Sequence, residues 1–325
     1  MGNLNKIKND IINNEFDYVS LYTNTGVIKR ISKEKFDIKF VVGIKGRTSY
    51  FRACLDNIVL AAKNSRLKVR IVIVEQDETP INWYYCSKYD IDYIFIPQEL
   101  GKSEHYHSTS LMYNVGYLFT NEAKYNMFHC ADTLISHDFF NILSENYLNK
   151  PFNWIQPYCE KRVITFNKHA TNIILDLNLS SRFTNPVEFP DTCFNTEKEQ
   201  QGAPGGSILI PTELFDNIGG YEPELFYGYT IEDSFLWGKL EVITNKGFKV
   251  DRIHFGNATY AEDPKLFLYH LNHPSEYIHN TKFNEMFVYH TDFFNFSAEE
   301  QLDYVNFRGN FFKKQKQKLK KIING

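Results

Sequence analysis

The sequence has no Cys-x-x-Cys pair, no large charge excess of either sign, no internal repeat and no long apolar run. Each absence narrows what the chain can do. Its five cysteines, Cys54, Cys86, Cys130, Cys159 and Cys193, are too widely spaced for a zinc knuckle. Their odd number, with no secretory leader in the sequence, sets the expectation of a reducing, cytoplasmic setting. A net charge of −3 provides no global basic field, so nucleic acid is not an expected partner. No stretch approaches the roughly 18 to 20 apolar residues of a membrane span. Gly2 is not read as a myristoylation site, because Lys6 stands where Ser or Thr is needed. No Pro/Gly-rich linker separates two independent domains.

What is present is a chain of 325 residues, 43% hydrophobic, with 28 Phe and 21 Tyr. That length suits one large α/β domain with a sizeable core. Some of the aromatics are expected to line a cleft, since sugars and bases stack on aromatic faces. One segment is strongly biased. Residues 313–321 read KKQKQKLKK, six lysines in nine residues with no acid. Removing those six charges from −3 leaves −9, so a mildly acidic body carries a basic tail.

The pattern along the chain alternates. Residues 1–36 are an irregular lead-in, expected to hold a helix and a hairpin. Phe40 to Ile44 is a short apolar run suited to a buried parallel strand. Apolar residues at 51, 54, 55, 58, 59 and 62 then show helical spacing. KVRIVIVEQD and YIFIPQ read as further strands, STSLMYNVGYLFTNEA as an amphipathic helix, and YNMFHCAD as a fourth strand. Such alternation predicts βαβ units and a mostly parallel sheet, whose ligands bind at the carboxyl ends of the strands. Those ends are Lys45-Gly46-Arg47, Glu75-Gln76-Asp77, Pro97-Gln98-Glu99 and His129-Cys130-Ala131-Asp132. Asp132 is thereby predicted on the binding rim. The second half is glycine-punctuated, restarts a helix behind Glu232-Asp233, and later carries His270 and His273. Two acids in a first turn also suit a helix dipole with no chemistry attached.

The order is a strand-end Asp, a glycine-rich segment, Tyr-Gly-Tyr beside Glu-Asp, and a late His. It resembles the GT-A glycosyltransferases over roughly residues 38–275. The nearest branch holds the beta-1,4-galactosyltransferases and the polypeptide and chondroitin-type sugar transferases. GGSILIPTELFDNIGGYEPELFYGYTIEDSFLWGKL carries most of the likeness, and SLMYNVGYLF resembles that family's helix before the metal strand. The resemblance implies a GT-A, Rossmann-like fold and inverting transfer of a sugar from a UDP-sugar donor to a glycan or glycoconjugate hydroxyl. It implies Mn2+, with Mg2+ as the alternative, held by Asp132, His270 and His273. Asp233 matches the general base. Glu232 matches a residue that binds the acceptor or the donor sugar, and Tyr229 an aromatic packed on a sugar face. Lys45 and Arg47 match cations at the nucleotide; Gly43, Ala131, Gly205 and Gly206 line the donor, and Glu75, Gln76 and Asp77 are candidate uracil contacts. The sequence departs from the family at the first metal-motif Asp, which is Cys130 here. A neutral thiol beside a hard cation is expected to be a bystander. His105 and His107 are read as members of a rim loop near the nucleotide, not as metal ligands.

The expected organisation is a lead-in (1–36), a catalytic domain (37–285, with a nucleotide-binding half to 135 and an acceptor half from 136) and a helical, basic extension (286–325). On a helix, Phe312, Leu319, Ile322 and Ile323 fall near one face; the tail reads either as a frayed, solvated terminus with no partner or as a peripheral contact of residues 311–325 with an anionic membrane. Docking of the tail on the acidic body of a second copy is the alternative partner; the sequence sets no oligomeric state. Two other functions compete. A nucleotidyltransferase would need a glycine-rich phosphate loop after the first strand, and GIKGRTS lacks that signal. A non-catalytic carbohydrate-binding relative is favoured only by Cys130.

Overall fold

The computed structural model describes residues 3–24, 26–101, 108–157, 163–176, 191–193, 207–226, 231–245, 249, 259–260, 266, 268–273 and 283–324. Among these residues the strands are β1 (Ile28–Arg30), β2 (Phe36–Ile44), β3 (Val69–Asp77), β4 (Asp92–Pro97), β5 (Ala123–His129), β6 (Thr133–Ile135), β7 (Ile155–Gln156), β8 (Val163–Thr165), β9 (Ser207–Pro211), β10 (Thr259–Tyr260) and β11 (Leu268–His270). The larger sheet runs β1-β4-β3-β2-β5-β9-β7-β10. Its centre, β4-β3-β2-β5, is parallel as predicted. β1 and β9 join antiparallel at either side. A second sheet, β6-β11-β8, sits beyond the end of β5.

The central strands are apolar on both faces because both are covered. Val41, Val72, Val74, Ile94 and Phe128 pack with the helix Thr109–Leu118. Phe40, Val42, Ile71, Ile73 and Phe95 pack with the helix Thr48–Lys63 on the other side. Each such side chain taken from water stabilises the fold by about 1.5–3 kcal/mol. Gly116 lets the first helix approach closely: a Cβ there would meet Val41 Cγ1 at 2.4 Å.

Two expectations are corrected at the chain ends. The lead-in forms the helices Leu4–Asn13 and Tyr18–Thr23, and its strand β1 pairs with β4 rather than in a hairpin. β1 thereby covers an edge that β4 would leave open. At the other end, the helix Ala298–Asn324 does not present its apolar residues on one free face. Phe312 and Leu319 are fully buried in the core, while Ile322 and Ile323 are exposed. Lys316 pairs with Asp216 at 2.7 Å and donates to the Tyr117 hydroxyl at 2.6 Å; Lys320 pairs with Glu122. The basic tail thus spends part of its charge on the acidic body. Arg308 of this helix is wholly buried, 3.1 Å from Glu224 and donating to the Tyr221 carbonyl at 2.6 Å.

Candidate active site

Asp132 follows β5 in the turn that leads into β6. β11 runs antiparallel to β6, with His270 opposite Thr133. The next residue, Leu271, donates its backbone N–H to the Asp132 carbonyl at 2.9 Å. This pairing brings two imidazoles to one carboxylate. His270 Nε2 lies 3.7 Å from Asp132 Oδ1, and His273 Nε2 lies 3.1 Å from Oδ2. The turn between the histidines is fixed by Asn272, whose N–H donates to Thr171 Oγ1 at 2.9 Å. Tyr50 packs edge-on to the His273 ring, centroids 6.0 Å apart.

These three side chains offer ligand atoms all within 4.8 Å of one another. Burial raises the pKa of the Asp132 carboxyl, but the His273 hydrogen bond and the charges of His270 and Arg47 outweigh it and hold the group well below the usual range. Burial pushes the His270 imidazole down, towards its neutral, ligating form. One ionised carboxylate with two imidazoles, closely grouped, is a donor set that fits a divalent cation such as Mn2+.

Arg47 enters from the end of β2. Gly46 and Arg47 turn the backbone left-handed, with φ of 59° and 44°. Arg47 is the one non-glycine residue with positive φ among the described residues, at a cost of about 1 kcal/mol or more. The Gly46 N–H donates to Asp77 Oδ2 at 3.0 Å, and the turn caps the helix Thr48–Lys63. It aims the guanidinium at the acid: Nη1 is 2.5 Å from Asp132 Oδ2 and 3.1 Å from His273 Nε2. Lys45 donates to Gln98 Oε1 at 2.7 Å on the same rim.

The second pair of acids, Glu232 and Asp233, opens the helix Glu232–Thr244. Burial, then the neighbouring charge of Glu232, pushes the Asp233 carboxyl well above its ordinary value. Cys130 lies within electrostatic reach of both Asp132 and Asp233, and burial with those charges keeps its thiol protonated. Cys130 is not part of the ligand group. His129 is also excluded as a ligand: it is fully buried, with Nδ1 on Ser207 Oγ at 3.0 Å and Nε2 on the Thr133 carbonyl at 2.9 Å.

Other predicted residues divide. Glu75 is corrected: it is fully buried, and its carboxylate accepts from the Asn82 backbone, the Asn82 amide and the Tyr93 hydroxyl. Those groups hold its carboxylate inside the fold. Gln76 is also buried, with Oε1 accepting the Ser108 N–H at 2.8 Å and Nε2 unpartnered. Gly43 packs on Met112, where a Cβ would meet the side chain at 3.2 Å. Ala131 is half-buried in the rim turn. Gly205, Gly206, Tyr229, His105 and His107 lie outside the described residues. The sequence reading missed Tyr50 and Thr171. Tyr50, one helical turn after Arg47, carried a spacing signal; Thr171 carried none.

Neither a protein-family model nor a curated protein sequence matches the chain. Solved structures do match, at low similarity. The chain is similar to the Drosophila beta1,4-galactosyltransferase 7 catalytic domain in complex with xylobiose (TM-score 0.41, 13% identity, 74% of this chain and 71% of that one). It is similar to the mannosyltransferase PcManGT from Pyrobaculum calidifontis in complex with GDP-Man and Mn2+ (TM-score 0.45, 11% identity, 97% and 83%). It is similar also to S. aureus TarS 1-349 in complex with UDP-GlcNAc (TM-score 0.48, 13% identity, 85% and 73%). These values are too low to carry a function from those proteins to this chain.

Proposed function

We propose that the chain is a metal-dependent, inverting glycosyltransferase that moves a sugar from a UDP-sugar to a hydroxyl of a glycan or glycoconjugate. The observation that carries this is the ligand group Asp132, His270 and His273; the electrostatic influence of both Asp132 and Asp233 on Cys130 supports reading the second acid as part of the same site. Asp132, His270 and His273 would hold the divalent ion, which when bound neutralises diphosphate charge as a Lewis acid.

The remaining roles fall to the chain's own groups. Arg47 and Lys45 offer cations for the diphosphate, Arg47 with a fork that matches two phosphate oxygens. Gln76 Nε2, buried and without a hydrogen-bond partner among the described residues, would reach the nucleotide only if its covering residues move aside. Asp233 accepts the proton of the acceptor hydroxyl as that oxygen bonds the anomeric carbon; the carbon–phosphate-oxygen bond breaks and its electron pair leaves with UDP. Burial makes Asp233 a stronger base than an exposed aspartate, in line with that task. Glu232 orients the acceptor or donor sugar. By resemblance, Gly205, Gly206 and Tyr229 complete the donor and sugar surfaces.

The stereochemistry tests the base assignment. NMR of the transfer product is expected to show the anomeric configuration inverted relative to the donor. Retention would remove the single-displacement role from Asp233.

A further inference from the structure

The Arg47 guanidinium stands in the ligand group itself. Its Nη1 contacts Asp132 Oδ2 at 2.5 Å and His273 Nε2 at 3.1 Å, and those two atoms are 3.1 Å from each other. Both belong to residues of the candidate metal group. A metal ion takes such ligands at about 2 Å, so an ion bridging Asp132 Oδ2 and His273 Nε2 on the side that Nη1 occupies would fall within the space the guanidinium fills. This Arg47 conformation opposes such an ion by volume, and by like charge opposes an ion held anywhere in the group.

Only the side chain needs to move. The backbone is anchored by the Gly46 to Asp77 hydrogen bond and by the helix that starts at Thr48. The side chain is 37% exposed, so it has an open path outward. A diphosphate offers the guanidinium the bidentate partner it loses at Asp132.

We propose that Arg47 is a displaceable internal cation that competes with the metal for Asp132 and His273, and that the donor diphosphate, by drawing Arg47 away, couples metal binding to donor binding. This rests on reading Asp132, His270 and His273 as metal ligands. Metal affinity without nucleotide is then reduced by the fraction of chains in which Arg47 is withdrawn. By linkage, metal and nucleotide each tighten the other by the same factor.

The test is Mn2+ binding, read from the loss of the free-ion electron paramagnetic resonance signal, with and without UDP and with no turnover required. The proteins are the wild-type chain, Arg47→Met and Arg47→Gly, the last because glycine suits the left-handed backbone. Thermal unfolding establishes that each is folded. Both variants are expected to bind Mn2+ alone at least about fivefold more tightly than wild type, and to gain less from UDP than wild type does. Asp132→Asn is expected to lose the binding in every background. If folded Arg47 variants bind Mn2+ alone no more tightly than wild type, the competition is refuted while the metal site stands. If neither wild type nor variants bind Mn2+, with or without UDP, the metal reading fails and takes this inference with it.

Discussion

Leu271 donates its backbone N–H to the carbonyl of Asp132 at 2.9 Å, joining two parts of the chain far apart in sequence into one turn. Everything proposed for the site depends on that junction, because it sets His270 and His273 against the Asp132 carboxylate. Asp132→Asn keeps the backbone bond and removes the anionic ligand. It is expected to weaken Mn2+ binding at least about tenfold, since even groups behind a ligand have effects of that size. Excess chelator should abolish donor cleavage by the wild-type protein, and Cys130→Asp should keep or raise it. Full activity in chelator would contradict the metal assignment.

Asp233→Asn is nearly isosteric and cannot take a proton. Turnover is expected to fall about a hundredfold or more with UDP affinity unchanged. Wild-type turnover in Asp233→Asn together with a loss in Glu232→Gln would reverse the two roles.

The pH profile carries a signed prediction. Asp233 must be ionised to act, and burial with the Glu232 charge raises its pKa. Activity should therefore fall as pH drops through a value well above the ordinary aspartate range. Glu232→Gln removes the like charge, so the acid limb of kcat should move to lower pH. A limb that stays or moves up would show that Glu232 does not act on Asp233.

Arg308 faces Glu222 and Glu224 with all three side chains buried. Arg308→Met leaves two acids without that partner, and is expected to cost about 3–5 kcal/mol of stability in chemical denaturation. Deleting residues 298–325 should abolish cooperative unfolding, because Tyr304, Phe312 and Leu319 are core residues. A deletion that unfolds like wild type would restore the tail as a free appendage.

The parallel centre was legible because runs such as Phe40 to Ile44 carry apolar residues on both faces, and Asp132 was read as a rim residue from its position at a strand end. The His270-x-x-His273 spacing was readable, but its partner was not: the β6–β11 pairing that delivers it has only three residues on each strand. Glu75 looked like a rim acid because its neighbours Gln76 and Asp77 end the same strand; nothing local showed that Asn82 and Tyr93 would take its carboxylate inside. The C-terminal helix misled for a related reason. From residue 311 on, its six lysines outnumber its five apolar residues, and which face meets Phe215 and Tyr117 is decided by the body it packs on.

The most direct test of the account is UDP release from a panel of UDP-sugars, measured with Mn2+ and with chelator. Metal-dependent UDP release from at least one donor, lost in Asp132→Asn, is the predicted result. Pyrophosphate release from a nucleoside triphosphate instead, or no release from any donor with Mn2+ bound, would contradict it.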